Sequence, residues 1–221
     1  MTTFTELLSH HAGTATARQI ALGDVIGDAS WGVDMGEGTI TFGDRAFAMQ
    51  VLGTEADGDG TWLWGWANAA SGIPEPLLAI ANEMRALGER EGIAELTERS
   101  FPIERANGYA LASIAAGSRD DAAFYRAPYA GGALYVVLPD AGLPPDEAVP
   151  DERVVTTLAQ TFQQFDVDKR LAAQSFLERA GFAVETAGDE VRAQRGNSSV
   201  AITFDETGRV TNLSGTLAPR D

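Results

Sequence analysis

The sequence predicts an α+β fold: an antiparallel meander sheet packed by helices, with a C-terminal helix plus a small antiparallel sheet. Three observations carry this. Between residues 31 and 67, short β-prone runs alternate with the breaks GEG, GDR and DGDG, which are hairpin signals. Residues 76–91 then place apolar side chains at helical spacing, and β-prone runs return near the C-terminus behind a helical stretch.

Taken in order, residues 4–26 read as a helix interrupted by small residues. Leu7, Leu8, Ile20, Leu22, Val25 and Ile26 offer apolar surface, while Gly13 and Gly23 each cost about 1 kcal/mol relative to alanine in a helix interior. Residues 31–35, 39–42, 46–53 and 61–67 follow as four strands of one antiparallel sheet. The helix over 76–91 has Pro74 and Pro76 near its start, where a missing N–H costs little, and Gly92 near its end. Its Leu77, Ile80, Ala81, Met84 and Leu87 fall three and four apart, so one face is core. A helix of small residues, ERANGYALASIAAG, comes next, and FYRAP with ALYVVLP forms a hairpin across YAGG.

Four prolines between Pro139 and Pro150 mark residues 139–150 as a connection without periodicity. This divides the chain into a domain over 1–138 and a C-terminal region over 151–221, the two packed as one unit or separate. In the latter, VVTTLAQTFQQF and DKRLAAQSFLERAGF read as two helices or one interrupted at Asp166. FAVET, EVRAQ, SVAITF and RVTNLSG read as strands.

Of 221 residues, 44% are apolar, enough for a substantial core. No cysteine is present, which excludes disulfides, thiolate metal sites and a cysteine nucleophile. No run of about 18 apolar residues and no apolar leader occurs, so a cytoplasmic protein with no membrane contact is expected. The net charge of −16, with Lys169 the single lysine, argues against nucleic-acid backbones as a partner and is compatible with a basic protein partner.

The segment TWLWGWAN (61–68) is the most distinctive in the chain. On a strand, Trp62, Trp64 and Trp66 project from one side. Exposed, such a row stacks ligands, and Trp62, Trp66 and Asn68 are the candidate ligand-binding residues. Three aromatics of roughly 150 Å² each would rival the largest apolar patch of an ordinary monomer, so a core role is favoured, with Trp64 the most buried. Asn68 at the strand end suits a turn cap.

Other motifs fail on spacing. In EADGDGT, a calcium loop counted from Asp57 finds Trp62 and Asn68 where glycine and glutamate are required. His10 and His11, the two histidines, point in different directions on a helix and read as solvated surface. GEGTITFG joins two strands instead of opening a helix. Carboxylates cluster at Asp24, Asp28 and Asp34, and at Asp120 with Asp121, where a solvated face is the simpler account. No catalytic residue, metal ligand or cofactor motif is assigned.

The run VLGTEADGDGTWLWGWAN, with IPEPLLAIANEMRALGEREGI and LTERSF after it, resembles a family of uncharacterised bacterial proteins, a domain of unknown function marked by a W-L-W-x-W-A-N strand. The resemblance spans about residues 20–140. It implies no substrate, cofactor or catalytic residue. Three functions therefore compete: an acidic interaction protein, immunity- or antitoxin-like, that engages a basic partner; a small-molecule binder with a tryptophan-lined pocket; and an enzyme built on carboxylates.

Overall fold

The computed structural model describes residues 2–216, so the last residues of the C-terminal region lie outside the described part. Helix α1 (Phe4–Ile26) starts from a reciprocal cap: the Thr3 side chain accepts the Glu6 N–H, and the Glu6 carboxylate accepts the Thr3 N–H. The helix is continuous, unlike the interrupted one predicted. Gly13 carries the reason. A Cβ there would sit 2.6 Å from Cβ of Phe176, so the glycine lets another helix lie directly against α1. Gly13→Ala is therefore expected to cost about 1–3 kcal/mol through overpacking, more than the ~1 kcal/mol alanine returns in helix propensity. A urea melt checks the sign.

Strands β1 (Trp31–Asp34), β2 (Thr39–Phe42) and β3 (Arg45–Ala48) form a three-stranded antiparallel sheet. The predicted four-stranded meander ends here. Strand β4 (Gln50–Ala56) leaves β3 at Met49 and enters a second sheet with β5 (Thr61–Trp64), β6 (Ser100–Pro102), β7 (Ala123–Tyr129) and β8 (Gly132–Leu138), in the order β6-β5-β4-β8-β7. The edge of β4 that local turn signals would assign to β3 is taken instead by β8, which is about 80 residues away in sequence. A bulge between Val51 and Gly53 accompanies that pairing.

Strand β5 stops at Trp64, and Gly65–Ala67 form a 3-10 turn, which corrects the predicted strand over 61–67. The predicted helix over 76–91 is a 3-10 turn at Glu75–Leu78 running into α2 (Ala79–Glu91), which ends at left-handed Gly92. A short helix α3 (Ala94–Thr97) precedes β6, and α4 (Gly108–Gly117) precedes β7. Both faces of the five-stranded sheet are covered. Leu52, Trp62, Trp64, Tyr135 and Val137 pack with α1, α2 and α4, whereas Val51, Val136 and Leu138 pack with Ile40 and Phe42 of the small sheet.

Past the proline-rich connection, α5 (Asp151–Gln164) and α6 (Lys169–Arg179) are two separate helices. Strands β9 (Ala183–Ala187), β10 (Glu190–Arg195), β11 (Ser198–Phe204) and β12 (Val210–Thr216) form the expected small antiparallel sheet. Val191, Val200, Ile202 and Phe204 pack against Leu158, Phe176 and Leu177, and Ala17 of α1 joins the same core. No helix among the described residues is long and apolar enough to cross a membrane.

Candidate functional site

The tryptophan row is core. Trp62 and Trp64 are both 0% exposed, so burial is shared between them, and Trp62 offers a ligand no surface. Space for Trp62 is made by Gly53 on the paired strand, where a Cβ would stand 2.4 Å from the indole ring. Trp64 donates its indole N–H to the Glu95 carbonyl at 3.0 Å. Trp66 leaves the strand with the 3-10 turn and lies half-buried, stacked on Trp64 at 6.4 Å, with the Arg85 guanidinium 4.7 Å above its ring. Asn68 accepts a hydrogen bond from the Ser71 hydroxyl at 2.9 Å, which is turn chemistry. Trp62, Trp66 and Asn68 therefore do not assemble into an open stacking pocket.

The carboxylate groups scatter differently from their sequence clustering. Asp24 pairs with Arg153, and Asp34 accepts the N–H groups of Gly36 and Glu37 at 2.9 and 3.0 Å. Asp120 and Asp121 instead meet residues from the far connection. Together with Asp146 and Glu147 they wall a cleft of about 480 Å³, floored by Arg18 and Arg179.

The cleft is organised around Arg18, only 5% exposed in the middle of α1. Its Nε and Nη2 donate to the two oxygens of Asp146 at 2.9 and 2.8 Å, a bidentate pair of the strong kind. Its Nη1 donates to the carbonyls of Ala116, Arg119 and Ala122, at the C-terminal end of α4 and in the turn beyond. Arg179 of α6 adds a second cation on Asp146 at 3.0 Å and reaches Asp120 at 3.3 Å. Arg18 thus ties α1 to α4 and the connection, and Arg179 brings α6 to the same Asp146 carboxylate. Asp121 adopts a left-handed backbone, φ 51, which short polar residues tolerate. Its carboxylate accepts the N–H of Leu143 at 2.8 Å and of Gly142 at 3.3 Å, holding the connection against the turn.

Asp120 and Asp121 stand out in the sequence as an acidic pair, whereas Arg18, Asp146 and Arg179 do not. A signal for Arg18 was present, since it is a lone cation within the small-residue run AGTATARQIAL, and buried arginines need partners. Nothing local identifies Asp146 as that partner.

Of the two histidines, His10 is exposed as expected, whereas His11 is partly buried. His10 bonds through Nδ1 to the Ser175 hydroxyl of α6 at 2.9 Å. His11 packs near Gly117 at the end of α4, and burial drives its pKa down to about 4, with a contact to the Gly117 backbone opposing. In the unfolded chain it titrates near 6.5, so between pH 4 and 6.5 the unfolded state binds more protons and stability falls as pH falls through that window. The loss attributable to His11 is expected to reach about 3 kcal/mol at pH 4. Denaturant unfolding of the parent and His11→Gln across this range measures it, and parallel curves would contradict it.

A family model matches residues 5–141. The chain belongs to the family of unknown function DUF6882. The DUF6882 match starts at the first turn of α1 and ends inside the proline-rich connection, so it contains Arg18, Asp120 and Asp121 but not Asp146, Glu147 or Arg179. The cleft is therefore built partly from DUF6882 residues and partly from the segment that follows. No curated protein and no solved structure matches the chain.

Proposed function

We propose that this chain is a non-enzymatic interaction protein, acting in the bacterial cytoplasm, that binds a basic protein partner through the acidic cleft. An immunity- or antitoxin-like role against a basic toxin is the specific form of this reading. The observation that carries it is the state of the charges in the cleft. Arg18 and Arg179 are already matched to Asp146 and Asp120, so the carboxylates of Asp120, Asp121 and Asp146 outnumber the two guanidinium groups beneath them, and Asp120 stands fully exposed at its lip. An arginine or lysine from a partner would enter a negative recess on a molecule of net charge −16, which also favours fast encounter.

The same bonds weigh against an acid–base enzyme at this place. The carboxylate of Asp146 accepts from two arginines, and that of Asp121 holds two backbone N–H groups. Carboxylates engaged in that way are fixed structural acceptors, whereas a general base needs a free lone pair within reach of the proton it takes.

The test is capture of a partner on the immobilised chain from a bacterial lysate, followed by titration of the purified partner at low and moderate salt. A basic partner is expected, with affinity falling as salt rises and falling again in Asp120→Lys, whose exposed position spares the fold. An acidic partner, or affinity indifferent to both salt and Asp120→Lys, would overturn the proposal.

A further inference from the structure

A second cavity, of about 270 Å³, lies away from the acidic cleft, between α1, α4, the start of β7 and the end of α5. Its lining contains no charged residue, in a chain where 22% of residues are charged. Its polar groups come from Thr16, Gln19, Tyr109, Ser113, Gln160 and Gln164, and its apolar walls include Phe124 and Phe165. Several of these groups are poised rather than spent. Ser113, only 2% exposed, contributes a hydroxyl-bearing side chain to this lining. Gln19 donates its amide N–H to the Phe124 carbonyl at 2.9 Å, which fixes the amide and leaves its oxygen as an acceptor. Tyr109 is held edge-on by Phe124 at 6.2 Å and Tyr135 at 5.6 Å, yet stays 39% exposed.

We propose that this cavity binds a small neutral polyhydroxylated ring, a monosaccharide or cyclitol. A charged ligand would lose its hydration there and find no opposite charge in the wall. Hydroxyl groups both donate and accept, and so do glutamine amides and the Ser and Tyr hydroxyls, so the two sets match. The aromatic walls supply the apolar surface that the C–H groups of such a ring require, and the volume, just below the ~300 Å³ at which drug-sized ligand sites begin, limits the ligand to a single ring. The Ser113 hydroxyl can both donate to and accept from such a ring. This inference is independent of the partner proposed above, because no residue of the acidic cleft lines the cavity.

The experiment is amide-resolved NMR of the full chain with glucose and myo-inositol as neutral probes, and glucuronate and glucosamine as charged ones, each at ~50 mM, a level that detects millimolar affinity. Glucose or myo-inositol is expected to shift resonances of residues 16–20, 109–113 and 160–165, with the charged probes far weaker. Gln164 is exposed at the end of α5, so Gln164→Ala folds normally and is expected to weaken binding about fivefold, the worth of one neutral hydrogen bond. Unmoved resonances with both neutral probes, or equal shifts from the charged ones, would overturn the assignment.

Discussion

Trp64→Ala is expected to cost about 3–5 kcal/mol, the range for truncating a large buried aromatic, against a total stability of about 5–15 kcal/mol. Three losses combine. The indole, 0% exposed, leaves a cavity between the sheet and α2, where Ile80 and Met84 share its cluster. Its edge contact with Trp62 at 5.4 Å and its stacking on Trp66 at 6.4 Å disappear. The Glu95 carbonyl loses its donor. Trp66→Ala should cost less, since that ring is half-buried and one face already carries Arg85. Denaturant unfolding of both variants tests the order. A loss below about 1 kcal/mol for Trp64→Ala would mean the row is not structural.

Arg18→Leu is expected to be comparably severe, about 3–5 kcal/mol, because removing one member of a buried ion pair deprives the other of its bidentate partner. Asp146, 13% exposed at its side chain, keeps only Arg179. The carbonyls of Arg119 and Ala122 lose the Arg18 donor as well, while that of Ala116 keeps the Arg119 N–H. Since Arg18 joins α1 to the connection, we expect residues 139–150 to become the first site of limited proteolysis in this variant. Parent and variant cut at the same rate in this segment would show that Arg18 does not hold it. A single unfolding transition in the parent would indicate that residues 1–138 and 151–216 unfold as one unit, as the sharing of Ala17 between α1 and the C-terminal core suggests.

Much of the fold is legible locally because its signals are local. Hairpin turns such as Gly188 with Asp189 act through backbone conformation within a few residues, and the apolar spacing of α2 reports its buried face directly. The burial of TWLWGWAN also followed from a local quantity, the area of three indoles. Where the prediction failed, a distant segment intervened. The strand expected over 61–67 runs past the actual end of β5 because alternation of apolar residues does not distinguish a strand from a 3-10 turn over three residues. His11 was placed in solvent because nothing near it in sequence reveals α4 lying alongside.

The sequence alone determined the α+β class, the core role of the tryptophans, the amphipathic α2, the break at the prolines and the strongly acidic character, since each rests on composition or on periodicity within one element. Tertiary structure decided which strands share a sheet, why α1 tolerates Gly13, and which carboxylates meet Arg18. Those outcomes depend on contacts between residues such as Gly13 and Phe176, or Arg18 and Asp146, separated by more than a hundred positions. A pairing of that kind is selected by the packing of whole elements against one another, and its free energy exists only once they have met.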